Sequence, residues 1–490
     1  MVATAVQEPI AREDLSRLLQ QEFRPQSEHS LTAIENAVQA LAARALEDTD
    51  SVISSDALYT IEALIAEIDR QLTVQINEVI HHPDFQKLEG TWRGLHHLVN
   101  NTETDELLKI RVFNISKPEL GKILKKFKGA AWDQSPVFKK LYEEEYGQFG
   151  GEPYGCLIGD YQFDHSAPDV ELLGELAKLA AACHTPLITG GSPALMQMDS
   201  WQELANPRDL TKIFGTPEYA SWRSLRETED ARYVGLTLPR VLSRLPYGAR
   251  QNPVDAFDFE EDTAGADHSR FTWSNAAYAM GVNINRAFKL YGWCSRIRGV
   301  ESGGAVEGLP VHTFPTDDGG IDMKCPTEIA ISDRREAELA KNGFMPLVFR
   351  KNSDLAAFIG AQSLQKPFVY DDADATANAN LSARLPYLFA TCRFAHYLKC
   401  IVRDKIGSFK ERTDMEAWLN RWISRYVERN PATATEVDKA KHPLAAAEVV
   451  VEEVEGNPGY YSAKIYLRPH YQLEGLTVSL RLVSKLPSGK

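Results

Sequence analysis

Cysteine is scarce and scattered in this sequence. Its six cysteines, Cys156, Cys183, Cys294, Cys325, Cys392 and Cys400, include no C-x-x-C pair, and the closest two stand eight apart. That spacing excludes a zinc knuckle or a dithiol redox pair and fits buried thiols in a reducing compartment. Positive charge is short as well, with 54 Lys+Arg against 68 Asp+Glu and a net charge of −14. A nucleic-acid-binding role has no electrostatic support on such a chain. Long apolar runs are missing. The longest candidate, around Leu176–Ile188, is broken by Lys178 and His184, well short of the roughly 18 residues needed to span a bilayer. The first residues lack the basic start and apolar core of a secretory signal. The expectation is a soluble cytoplasmic protein with no direct membrane insertion.

Nucleotide and metal motifs are absent too. Gly303-Gly304-Ala-Val-Glu-Gly308 lacks the Lys-Ser/Thr end of a P-loop and the Rossmann glycine spacing, and reads as a hairpin loop. His81-His82 and His96-His97 form no H-E-x-x-H, and adjacent helical residues project about 100° apart, so neither pair easily shares an ion. No cofactor is expected.

What is present suits a multidomain globular chain. Apolar residues make up 43% and charged residues 25%, enough for sizeable cores, and the length allows about three domains. The first 80 residues are strongly acidic, with 14 Asp/Glu against 5 Arg and no Lys. Within them, Leu15, Leu18, Leu19 and Phe23 trace one face of a short amphipathic helix over 9–24. Pro25 and the polar residues up to Ser30 form a joint. A second helix is expected over 31–46, with Leu31, Ile34, Val38 and Leu41 on one stripe. A third spans 56–80, with Leu58, Ile61, Ile65, Ile68, Leu72 and Val79 near heptad spacing. Ser54-Ser55-Asp56 would cap the third and Pro83 would end it. Together they make a helical hairpin with one sticky face, packed on its own domain or on a partner chain.

Beyond 106 the pattern mixes strand and helix. Leu107–Ile115 resembles a strand and Pro118–Phe127 a helix. Gly155–Asp160 and Pro186–Thr189 are short buried strands around a helix over 169–183, an order that argues for a right-handed parallel crossover. Phe271–Leu290 reads as a helix, Tyr291–Val300 as extended, Gly343–Arg350 as a strand, and Asp371–Asn380 as a loop. Helices follow over 386–409 and 415–426. At the end, Ala463, Ile465 and Leu467 alternate along one segment, and Leu476, Val478, Leu480 and Leu482 along another. Period-two alternation marks half-buried strands, and a terminal strand pair offers edges on which another chain can add. The fold class is therefore mixed α/β: an N-terminal helical hairpin, central α/β domains with mixed sheets, and C-terminal strands joining an intermolecular sheet.

Two groups hint at chemistry. Gly190-Gly-Ser192-Pro-Ala194 is close to the G-x-S-x-G nucleophile elbow. Its fifth residue is Ala, however, and Ser192 with Pro193 equally suits an ordinary helix start, which is the preferred reading. Asp160, Asp164 and His165 have the donor types of a metal site but equally suit a solvated loop, again the preferred reading. The residues alone argue against an enzyme.

Several strings together resemble the large contractile sheath subunit of bacterial type VI secretion, the TssC/VipB family. They are Tyr154–Asp164, Pro186–Ser192, Arg244-Leu-Pro-Tyr-Gly248, Tyr291–Val300 with Gly303–Pro310, and Leu467–Pro487. The resemblance implies a non-enzymatic building block without catalytic, cofactor or metal residues. It would pair with a small sheath subunit (TssB/VipA type) and stack with further copies in six-fold rings. The resulting helical tube would surround an inner tube of Hcp, grow from a baseplate at the cell envelope and contract. Its domains would be 1–30, an unfoldase-recognition helix and joint; 31–85, the hairpin; 86–310, the sheath body; and 311–490, a second α/β region with the interlacing strands. Leu15, Leu18, Leu19 and Phe23 would anchor a ClpV-type AAA+ unfoldase. Leu58, Ile61, Ile65, Ile68 and Leu72 would pack with the small subunit. Ala463, Ile465, Leu467, Leu476, Val478, Leu480 and Leu482 would join strands between subunits. The alternatives are a serine hydrolase using Ser192 and the sheath of a related contractile injection system.

Overall fold

Capping side chains and prolines set many of the element boundaries. A computed structural model describes residues 27–47, 57–206, 209–263, 268–315, 318–405, 412–454 and 461–470. They divide into two units, one from 1–82 with 246–264 and one from 83–245 with 265–490.

The first unit carries helices α1 (Glu28–Glu47) and α2 (Ala57–Ile80), the expected hairpin elements. The buried Asn77 fastens α2 to the loop of residues 246–263. Its Nδ2 donates to the Glu260 carbonyl at 3.1 Å, and its Oδ1 accepts the Asp262 N–H at 2.8 Å.

The second unit contains α3 (Pro83–Asn100), α4 (Lys117–Lys126), β1 (Leu157–Phe163), α5 (Ala167–Cys183), β2 (Leu187–Gly191) and β3 (Val234–Leu238). Next come α6 (Ala276–Tyr291), β4 (Ala305–Val306), β5 (Phe344–Phe349), β6 (Ala356–Phe358) and α7 (Ala373–Ser382). The order ends with α8 (Leu385–Lys405), α9 (Arg412–Ile423), β7 (Leu444–Glu453) and β8 (Tyr461–Pro469), with shorter turns and two small ribbons between. Six strands form one mixed sheet in the order β1-β2-β3-β5-β6-β4. The first four run parallel, and β6 is antiparallel to both of its neighbours.

Neighbouring strand residues face opposite sides of a sheet, and here both sides are covered. Leu187 and Phe344 enter a core with α4 and α5, whereas Ile188 and Met345 enter another with α6 and α8. This explains why β2 and β3 are buried at every position, as expected for parallel strands between two helical layers. A third core holds Trp293, Phe394, Leu419, Trp422, Val449 and Val451. It fastens β7 to α8 and α9, with Trp293 and Phe394 stacked at 4.4 Å.

Three local expectations change. Leu107–Ile115 pairs with no strand among the described residues. Asp371–Asn380 is largely helical, because Asp372 caps the Asp374 N–H of α7. The segment after Ser192 is a single 3₁₀ turn over Pro193–Met196.

Candidate functional site

The C-terminal ribbon is built from β7 and β8, antiparallel over Val449↔Ile465 and Val451↔Ala463. Val449 and Val451 are buried in the third core, and Leu467 packs against its rim. Opposite residues share a face, so Ala463 and Ile465 continue that apolar face where they are exposed. On the other face, Lys464 pairs with Glu452 at 2.7 Å, and this contact holds the Lys464 ammonium above its usual pKa.

The two margins of the ribbon differ. Helix α9 lies along β7, where the Asn420 amide donates to the Val449 carbonyl at 2.7 Å and accepts the Val449 N–H at 2.9 Å. Glu416 accepts the Val451 N–H at 2.9 Å, and the Leu444 carbonyl accepts the Glu428 N–H at 2.9 Å. Side chains and a loop thus stand where a third strand would pair. In an antiparallel ladder, residues whose amide groups point away from the partner strand sit opposite residues that do the same. Because Val449 turns both groups toward Asn420, Ile465 turns both of its own outward from β8. Ala463 and Leu467 share that phase. The structure therefore places Ala463, Ile465 and Leu467 on a margin with no strand beside it among the described residues. Leu476, Val478, Leu480 and Leu482 lie outside the described residues.

The other sequence candidates occupy different places. Leu15, Leu18, Leu19 and Phe23 lie outside the described residues. Leu58, Ile61, Ile65, Ile68 and Leu72 all fall within α2; Ile65 and Leu72 are exposed and Ile68 half-buried. Ser192 caps the turn after β2, its Oγ accepting the Ala194 N–H at 3.3 Å, with no imidazole bonded to it among the described residues. His165 is turned to the Ala194 carbonyl at 2.9 Å. Asp164 Oδ1 accepts the Ser166 N–H at 2.7 Å, closing a local turn. No cluster of three or more His, Cys, Asp or Glu suited to a metal ion occurs among the described residues. None of the described helices is long and apolar enough to cross a membrane.

Sequence reasoning missed α3 and the edge-covering pair Asn420 and Glu416. The pair had a legible signal: a four-residue spacing on a helix puts both on one face, beside a strand too apolar to be solvated.

A curated relative, the type VI secretion system sheath protein TssC1 of Pseudomonas aeruginosa, is 74% identical over 477 residues, spanning 97% of this chain and 96% of that protein. Two solved structures are more distant. The anti-feeding prophage baseplate covers 78% of this chain and 84% of its own at 12% identity and a TM-score of 0.39. The contracted PVC sheath of an extracellular contractile injection system covers 62% and 68% at 10% identity and a TM-score of 0.32. Family models match residues 62–365 as the EvpB/VC_A0108 tail sheath N-terminal domain and residues 374–486 as the tail sheath gpW/gp25-like domain. The chain belongs to the EvpB/VC_A0108 tail sheath family.

Proposed function

We propose that this chain is the large structural subunit of a type VI secretion contractile sheath, linked to its neighbours through the outer margin of β8. One observation carries the linkage: a ribbon with one margin covered by Asn420 and Glu416 and the other lined by Ala463, Ile465 and Leu467. Ladder bonds fix register while leaving the bodies free to turn, which suits a tube that must change shape without coming apart. The segment with Leu476, Val478, Leu480 and Leu482 supplies the second apolar strand, and burying those four side chains contributes about 1.5–3 kcal/mol each before ordering costs.

The partners follow from this reading: a small sheath subunit, further copies in six-fold rings, an inner tube of Hcp type and a baseplate at the envelope. An AAA+ unfoldase would act on Leu15, Leu18, Leu19 and Phe23, and the exposed apolar positions of α2 would pack with the small subunit. The working compartment is the cytoplasm. Contraction would come from better contacts between bodies in the short state, with the strand mesh retained throughout.

Electron microscopy of this chain co-produced with the small sheath subunit tests the reading. Hollow helical tubes are expected, and tubes should be absent when Leu476–Leu482 is deleted. Monodisperse particles with the intact chain, or normal tubes with the deletion, would overturn the coupling role.

A further inference from the structure

The chain contains one Asp-Gly pair, Asp318-Gly319, and one Asn-Gly pair, Asn342-Gly343. In such pairs the peptide nitrogen of the glycine can close on the side-chain carbonyl carbon before it, because glycine has no Cβ to hinder the approach. The two pairs sit in opposite surroundings. Asp318-Gly319 lies in the turn of the small ribbon made by Thr313–Pro315 and Ile321–Met323, which closes with Pro315 opposite Ile321. Asp318, Gly319 and Gly320 are all exposed. Gly319 has a φ of +80°, and a methyl group built on it would meet no atom within 4 Å. Neither the Asp318 carboxyl nor the Gly319 N–H has a hydrogen bond or ion pair among the described residues.

Asn342-Gly343 is chemically similar and structurally held. Asn342 is buried at the end of the helix Asp333–Lys341, and its Nδ2 donates to the Glu338 carbonyl at 2.9 Å. The Gly343 N–H donates to the Ala340 carbonyl at 3.0 Å. A methyl group on Gly343 would lie 3.0 Å from the Leu364 carbonyl oxygen, so the backbone has little room to turn there. Both groups that would have to meet are therefore engaged elsewhere.

We propose that Asp318 is a site of spontaneous isomerisation to isoaspartate, and that the fold shields Asn342 from the corresponding loss of its amide. The Gly319 nitrogen attacks Cγ of Asp318 in its carboxylic acid form. A C–N bond forms, and the carboxyl hydroxyl leaves with the nitrogen's proton as water. The resulting cyclic imide then takes up one water. Breaking the bond from nitrogen to Cγ restores aspartate, whereas breaking the bond from nitrogen to the main-chain carbonyl carbon leaves Gly319 joined through Cγ. One water leaves and one enters, so the step needs no oxidant, reductant or further reactant. The product has one more carbon in its main chain and carries the former main-chain carboxyl as a free carboxylate. It lengthens the turn that closes on the Pro315–Ile321 pair, so a long-lived subunit records its age there. This inference is independent of the sheath reading.

Peptide mapping tests it on the full chain, aged at neutral pH both folded and in denaturant. Electron-transfer fragmentation of the digests distinguishes isoaspartate from aspartate. Isoaspartate at Asp318 should build up in the folded chain within about threefold of its rate in the denatured chain, because an exposed turn needs almost no opening. Amide loss at Asn342 should be slower by about a hundredfold or more in the folded chain, since the attack there requires local unfolding. Asp318→Glu, which would have to close a larger ring, should leave the melting curve unchanged and remove the isomerised peptide. A folded chain that keeps Asp318 intact while the denatured chain converts it would overturn the proposal, as would conversion in neither. Amide loss at Asn342 at equal rates in both states would overturn the shielding.

Discussion

The carboxamide of Asn420 pairs with both backbone groups of Val449, accepting its N–H at 2.9 Å and donating to its carbonyl at 2.7 Å. A side chain thereby imitates one rung of a β-ladder. Asn420→Ala would strand a buried donor and acceptor at Val449, and an unsatisfied buried polar group costs about 1–3 kcal/mol. Chemical denaturation should register a loss of that order. Glu416→Gln keeps an acceptor for the Val451 N–H and should cost less.

Alternation along β8 gives a sharper test. Ile465 points its N–H away from β7, whereas Lys464, one residue earlier, points its N–H inward. Proline removes that N–H and is tolerated in sheets at edges. Ile465→Pro should therefore preserve the ribbon, read as unchanged exchange protection in β7, while preventing tubes from forming in the electron microscope. Lys464→Pro should destroy the ribbon itself. Equal behaviour of the two variants would contradict the assigned phase.

Glycines at 90 and 94 set the closeness of α3 to its neighbours. Gly94→Ala presses on the Tyr278 ring and should cost about 1–3 kcal/mol, as overpacking does. Gly90→Ala meets the backbone oxygen of Trp273, which yields less readily, so its loss should be larger. Gly121→Ala in α4 has its nearest neighbour at 3.9 Å, the Leu172 side chain. Thermal melts should show this last variant neutral or stabilised by about 0.5–1 kcal/mol.

Acid should loosen the contact between α5 and α8. His396 is buried, and its Nε2–H donates to the Cys183 carbonyl at 2.8 Å. Burial lowers its pKa from 6.5 to about 4, so the folded protein holds the ring neutral where the unfolded chain would protonate it. The contribution is complete above about pH 6.5 and disappears as pH falls toward 4, about 3 kcal/mol over that window. His396→Gln keeps a donor that does not titrate. Denaturation midpoints measured across this range should fall less steeply for the variant than for the parent chain.

Much of this architecture could be read from residue patterns, for physical reasons that also mark where reading failed. The β1–α5–β2 unit announced itself because strands buried on both faces become continuous apolar runs. Alternation at Ala463, Ile465 and Leu467 marked the ribbon because their partners across it, Val451 and Val449 among them, are buried in the third core. Leu107–Ile115 has the composition of a strand, yet it pairs with no strand among the described residues. What periodicity could not supply was the partner, since a ladder is a relation between segments and composition describes one at a time. Asp371–Asn380 looked like a loop because its residues are small and polar, yet the Asp372 cap starts a helix there. Helix α3 went unread because its inward side is made of glycines and its outward side of Phe, Leu and Trp, the reverse of ordinary amphipathic burial. For Ser192, the motif named a possible nucleophile, but only coordinates could place its oxygen on the Ala194 amide.

A ribbon sealed on one side and open on the other has a sense of direction. A further strand can add only along β8, because Asn420 and Glu416 already hold the ladder positions along β7. Growth of this sheet therefore stops with the first strand to arrive, unless that strand brings an open margin of its own.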